Sequence, residues 1–200
     1  MAITAPPSEP IMSNPTLYII AGPNGAGKTT ASMNILPEIL DCKIFVNADE
    51  IAKGLNPLDP ESMAIEAGRI MLERINFLLV KRETFALETT LATRSYKNFI
   101  EKAKDYGYKI VLLFFWLESP AFAKERVANR VKEGGHNIDE EVIERRYWLG
   151  LKNLFEIFMP IVDSWSMYDN NIKIELIATN LRIAAEKKYN KIKELCQNRK

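Results

Sequence analysis

Apolar positions recur along the chain in two rhythms. Short, mainly apolar runs occupy residues 17–21, 43–46, 84–87, 109–117 and 173–178. The first lacks polar alternation, which suits a strand covered on both faces, and the later ones look similar. Longer stretches with helical spacing lie between and after them, at 30–40, 61–80, 95–106, 120–132, 139–160 and 181–198. Within the second of these, Met63, Ile70, Leu72, Ile75 and Leu79 fall at roughly helical intervals. Gly107 is a helix stop. Ser119 followed by Pro120 is a helix start, a capping hydroxyl before a residue pre-set for the first turn. Strands alternating with helices predict βαβ units, hence an α/β protein with three αβα layers and a parallel sheet of about five strands. Residues 1–14 carry Pro6, Pro7 and Pro10 without periodicity and read as a disordered leader, leaving 15–200 as one domain.

The first strand runs into Gly22-Pro23-Asn24-Gly25-Ala26-Gly27-Lys28-Thr29, followed by Thr30. This is G-x-x-x-x-G-K-[ST] between a strand and a helix, where a phosphate-binding loop must sit, and it marks the fold as that of a P-loop NTPase. Gly25 and Gly27 let successive backbone N–H groups turn inward into an anion nest. The following helix adds the positive end of its dipole. Lys28 can reach β- and γ-phosphates, and the Thr29 hydroxyl is placed for Mg²⁺. The expected ligands are therefore ATP, with GTP as an alternative, and Mg²⁺.

The second and third strands end in acids. Asn47-Ala48-Asp49-Glu50 follows one, and Glu88-Thr89-Thr90 the other. Ligands of open parallel sheets collect outside the carboxyl ends of the strands, so Gly22, Asp49 and Glu88 should share a rim. An acid there can take the proton of an attacking hydroxyl or hold Mg²⁺. Asp49 could equally cap a helix beginning at Glu50. Glu88, ending a buried strand, needs a partner or a pocket mouth. Asn47, Thr90 and Arg94 are candidates for the acceptor pocket.

A helical lid is expected over about 126–146. It carries Arg126, Arg130, Arg145 and Arg146 on two helices joined by Gly134-Gly135, with Arg130 and Arg145 as the leading pair. An arginine brought to the migrating phosphoryl group is worth about 10³ to 10⁵ in rate. The same residues could form solvated pairs, and Glu141 is spaced for Arg145. His136 is the chain's single histidine and falls in the lid turn, which argues against a triad. Trp148, Phe155, Phe158, Trp165 and Tyr168 read as core, and Asp163, Asp169 and Asn170 as turn residues.

Charge narrows the classes further. Basic and acidic residues nearly cancel, 27 against 26, so no global field draws a polynucleotide. Apolar runs are too short for a bilayer, and the first residues lack the basic-then-apolar order of a secretory signal. Cys42 and Cys196 form no disulfide or zinc pattern. A cytoplasmic protein is the expectation.

Together, residues 21–30, Val46-Asn47-Ala48-Asp49-Glu50-Ile51, Phe85-Ala86-Leu87-Glu88-Thr89-Thr90, and Arg130-Val131 through Arg145-Arg146-Tyr147 resemble the zeta toxin family. The likeness is stronger to its chromosomal branch of small P-loop ATPases and kinases, and it spans about 17–178. It implies a nucleotide-kinase-like fold and transfer of the ATP γ-phosphate to a hydroxyl of UDP-N-acetylglucosamine or a related UDP-sugar. It also implies an antitoxin partner for toxin-type members. On the resemblance, Lys28 and Thr29 are the Walker lysine and metal ligand. Asp49 is the general base, Glu88 the third-strand acid, and Arg130 with Arg145 the lid arginines. Asp139 stands where the branch would carry proline. Two other functions remain open at this point: a nucleotide-gated ATPase module without a small acceptor, and a kinase of nucleosides or nucleic-acid ends.

Overall fold

The computed structural model describes residues 14–135 and 137–197. The leader read over 1–14 falls outside them except for Asn14, and so does His136.

Six strands form one sheet: β1 (Thr16–Ala21), β2 (Phe45–Val46), β3 (Phe85–Thr89), β4 (Lys109–Trp116), β5 (Ser164–Asp169) and β6 (Glu175–Thr179). Their order is β2-β3-β1-β4-β5-β6. All neighbours are parallel except β5 and β6, which run antiparallel. This is the expected three-layer, mainly parallel sheet, with one strand more than the roughly five expected and an antiparallel edge. Ser164–Asp169 lies between a predicted helix and a predicted strand and alternates apolar with polar residues, so its one-sided burial hid it among core aromatics. The short connection from β5 to β6 cannot hold a crossover helix, which forces the antiparallel return.

The helices are α1 (Lys28–Glu38), α2 (Ala48–Leu55), α3 (Ala64–Lys81), α4 (Tyr96–Asp105), α5 (Pro120–Lys132), α6 (Glu140–Asn153), α7 (Met159–Ile161) and α8 (Glu186–Gln197). Short 3₁₀ and π segments, Glu61–Met63 and Leu154–Phe158, precede α3 and continue α6. The Ser119 side chain accepts from the Phe122 N–H at 3.1 Å, closing the first turn of α5. Asn47, not Asp49, caps α2: its side chain accepts from the Asp49 N–H at 2.8 Å. The helix therefore starts two residues before Glu50, and the Asp49 carboxylate is left out of the cap. α8 begins later than expected because Leu181 and Arg182 turn back over the Thr179 hydroxyl and Ile183 bridges Ala178.

The buried core runs through Leu17, Ile19, Leu87, Ile110, Leu112 and Phe115 of the central strands, with Ile75, Leu78 and Leu79 of α3 packed on it. Strands covered by helices on both faces read as continuous apolar runs, as the first strand did.

One packing contact bears directly on function. Around Gly150, α6 lies so close to the loop after β3 that a Cβ there would sit 2.2 Å from the Thr90 carbonyl oxygen. Three residues on, buried Asn153 donates from Nδ2 to the Leu91 carbonyl at 2.8 Å. Leu91 is buried and adopts a left-handed φ of 57°. Gly150→Ala is expected to destabilise the fold despite the roughly 1 kcal/mol gain in helix propensity. The backbone atom it meets cannot swing aside, and overpacking of this kind costs about 1–3 kcal/mol. A thermal melt should show Tm falling by several degrees; an unchanged or higher Tm would mean that α6 is free to lift.

Candidate functional site

The carboxyl ends of β1, β2 and β3 meet at one rim, held in register by Ala21 beside Thr89 and Val46 beside Leu87. The loop from 22 to 27 leaves β1 with φ values that demand glycine: 145° at Gly22, 77° at Gly25 and 71° at Gly27. A Cβ on Gly22 would lie 2.2 Å from the Phe115 carbonyl, so β4 presses directly on the loop. Gly27 in the left-handed region opens α1 with no side-chain cap, leaving the first N–H groups of the helix for a ligand.

Lys28 is only 5% exposed. Its ammonium donates to the Pro23 carbonyl at 3.0 Å and lies 3.5 Å from a Glu88 carboxylate oxygen. The other Glu88 oxygen accepts from the Thr29 hydroxyl at 2.7 Å and from Asn47 Nδ2 at 2.9 Å. One carboxylate thus gathers the lysine, the hydroxyl and the cap of α2. Such a cluster suits Mg²⁺, which takes one or two protein oxygens and completes its shell with water and phosphate. Thr29 and Glu88 are the residues that would hold it. Among the described residues no group of three or more His, Cys, Asp and Glu could hold a metal unaided.

Next to this cluster is a cavity of about 190 Å³ lined by Asn24, Lys28, Asn47, Ala48, Asp49, Glu88, Thr89, Thr90, Thr93, Tyr96 and Arg146. Asp49 is exposed at its mouth. Burial pushes the Tyr96 hydroxyl up, against a hydrogen bond with Thr89 that lowers it, so at neutral pH it is a protonated donor or acceptor. A larger apolar groove of about 840 Å³, around Phe155, Trp165 and Tyr189, lies away from the phosphate loop. It holds none of the motif residues.

Of the expected site residues, the loop, Asp49, Glu88, Asn47 and Thr90 come together. Arg94 and Arg145 are exposed and do not line the cavity. No ion pair joins Arg145 to Glu141; Lys124 of α5 instead reaches Glu140 at 3.6 Å and Glu144 at 2.9 Å and ties the two helices together. Arg130 packs against Gly135, whose N–H bonds back to the Arg130 carbonyl at 2.9 Å. Arg146, one residue from the favoured position, is the one of these four arginines that lines the cavity. A one-residue offset turns a helical side chain by about 100°, and neighbouring arginines carry no signal for which of them points inward.

Two residues take a part that the sequence did not assign them. Arg126 donates to the Asn170 carbonyl at 2.6 Å, and Asn170 Nδ2 donates to the Ala26 carbonyl at 2.7 Å. Together they brace the phosphate loop from α5 and the end of β5. Asp169 beside them is ion-paired with Lys188 of α8. Burial alone would raise its pKa, but Lys188 and Asn171 hold the carboxyl below its usual range. A contact 144 residues apart in sequence leaves no local pattern to read.

Residues 17–147 match the family described as AAA domain. An uncharacterized protein of Haemophilus influenzae is 29% identical over 137 residues, spanning 68% of this chain and 95% of that protein. Among solved structures, a chain from the PezAT chromosomal toxin–antitoxin system of Streptococcus pneumoniae superposes with TM-score 0.67 at 16% identity. The match covers 96% of this chain and 88% of that one. The AvrRxo1-ORF1:AvrRxo1-ORF2 complex with ATP gives TM-score 0.71, also at 16% identity, over 90% of this chain and 64% of that one. These likenesses establish the three-layer P-loop architecture that the zeta toxin resemblance implies. No described helix is long and apolar enough to cross a membrane.

Proposed function

The chain belongs to the AAA domain family, and from that premise we propose that it is an Mg²⁺-dependent kinase that moves the γ-phosphate of ATP to a hydroxyl of a small molecule. One observation carries the proposal: Asp49, Lys28 and Glu88 line a single cavity beside the phosphate loop, large enough for an acceptor group.

The roles follow from position. The loop from Gly22 to Thr30 takes the triphosphate, and Lys28 neutralises charge at its β- and γ-groups. Thr29 and Glu88 would hold the cation, which would supply positive charge to offset that developing on the phosphate oxygens. Asp49 accepts the proton of the attacking hydroxyl. The acceptor oxygen bonds to the γ-phosphorus as the bond from that phosphorus to the bridging oxygen breaks, and ADP leaves. Asn47 and Thr90 border the acceptor. Helices α5 and α6 act as the lid over the loop: Arg146 faces the cavity, Arg126 braces the loop through Asn170, and Arg145 lies exposed.

The zeta toxin resemblance makes UDP-N-acetylglucosamine the first acceptor to try and an antitoxin the first kind of protein partner. The AvrRxo1 complex and the PezAT system, both matched in fold, are themselves two-component assemblies by name. The test is transfer of label from γ-labelled ATP in the presence of Mg²⁺ to a panel of UDP-sugars, sugars, sugar acids and nucleosides. Acceptor-dependent label in an organic product is expected. Release of inorganic phosphate at one rate whatever is added would defeat the kinase reading and leave a nucleotide-gated module.

A further inference from the structure

The cavity beside the phosphate loop is unevenly satisfied. Lys28 is engaged by Pro23 and Glu88, and Glu88 in turn by Lys28, Thr29 and Asn47. Three lining groups have no such commitment. Arg146 is half-buried, and no hydrogen bond or ion pair to it occurs among the described residues. Asn24 is 7% exposed, and its buried Oδ1 accepts from nothing. The Asp49 carboxylate accepts from no donor among the described residues. An orphaned buried acceptor calls for an O–H or N–H donor. A guanidinium that cannot deprotonate calls for an anion, and its planar fork fits carboxylate or phosphate oxygens in pairs.

We infer that the acceptor is a compact hydroxylated acid: its anionic group sits on Arg146, a hydroxyl donates to Asn24 Oδ1, and the reacting hydroxyl faces Asp49. This rests on the kinase reading above and narrows its substrate class. Arg146 is held in place for the task. One turn further along α6, Gly150 lies against the Thr90 carbonyl, and Asn153 is bonded to Leu91, so the arginine and the threonine loop form one rigid unit. Thr90, Thr93 and Tyr96 supply hydroxyls suited to a polyol. Size points the same way. About 190 Å³ is below the roughly 300–1,000 Å³ that encloses larger ligands, so a compact sugar acid or sugar phosphate fills the recess. In the transfer the hydroxyl proton goes to Asp49, the new O–P bond forms to that oxygen, and ADP departs, while the anionic group is untouched.

The test measures label transfer from γ-labelled ATP with Mg²⁺ to gluconate and glycerate, to glucose and glycerol as neutral counterparts, and to UDP-N-acetylglucosamine. The acids are expected to exceed their neutral counterparts at least tenfold in kcat/KM. Arg146→Gln should raise KM for the acids by roughly 10- to 100-fold, collapsing the acid-to-neutral ratio toward one, with Arg146→Lys retaining part of it. Equal use of neutral and acidic compounds, or preference for UDP-N-acetylglucosamine, overturns the inference and leaves the kinase reading standing. Transfer to none of them, with hydrolysis indifferent to what is added, overturns both.

Discussion

Lys28→Met is expected to erase the stabilisation that ATP confers and to lower phosphate transfer by at least about 10²- to 10³-fold. The effect is large because the ammonium is buried at the base of the loop, where Arg146 across the cavity and Arg126 behind the loop do not take its place. It is held there by Pro23 and Glu88 alone, both of which it can exchange for phosphate oxygens. Methionine keeps most of the side chain's volume and removes its charge, so the loop stays filled while its strongest donor is gone. The unliganded fold should survive, since Glu88 keeps its bonds from Thr29 and Asn47. At an ATP concentration one hundred times Kd, binding stabilises a protein by about 2.7 kcal/mol. For a chain of this size that is a Tm rise of about 5–11 °C. Differential scanning fluorimetry with Mg·ATP should record that rise for the wild type and none for the variant. A variant that melts as the wild type does with and without ATP would remove the phosphate loop from the argument.

The sequence exposed the parts of this site that are local. The strand, glycine turn and helix of residues 17–40 are contiguous, and each residue's place follows from its neighbours' spacing. Glu88 was legible for a related reason, as an acid where an apolar run stops. The antiparallel β5–β6 pair was not, because Ser164–Asp169 is half covered and its alternation is too short to separate from loop aromatics. The arginines of residues 126–146 were legible as a cluster but not in their orientation. Arg145 and Arg146 differ only in which way a helix turns, and that is fixed by Gly150 against Thr90 and Asn153 against Leu91, contacts more than 50 residues apart. The cap of α2 shows the same limit at shorter range. Asn47 and Asp49 both have capping side chains, and choosing between them depends on Asn47 also reaching Glu88 across the rim.

That choice matters, because it frees Asp49 for chemistry and makes its substitution informative. Asp49→Asn is expected to lower kcat for acceptor phosphorylation by about 10²- to 10⁴-fold, the usual worth of a positioned general base. The substitution preserves shape and leaves the cap intact, since α2 takes only the backbone N–H of residue 49. What it removes from the fold is one negative charge in the first turn of a helix, worth about 0.3–1 kcal/mol at an exposed position. Tm should therefore fall by no more than a few degrees. The ATP-induced thermal shift should persist, because the carboxylate of Asp49 is not among the groups that Lys28, Thr29 or Glu88 touch. Loss of turnover with nucleotide binding retained distinguishes a base from a structural acid, which would take stability and binding down together. If Asp49→Asn turns over at the wild-type rate, the proton has another destination and the assignment of the base fails, whatever the identity of the acceptor.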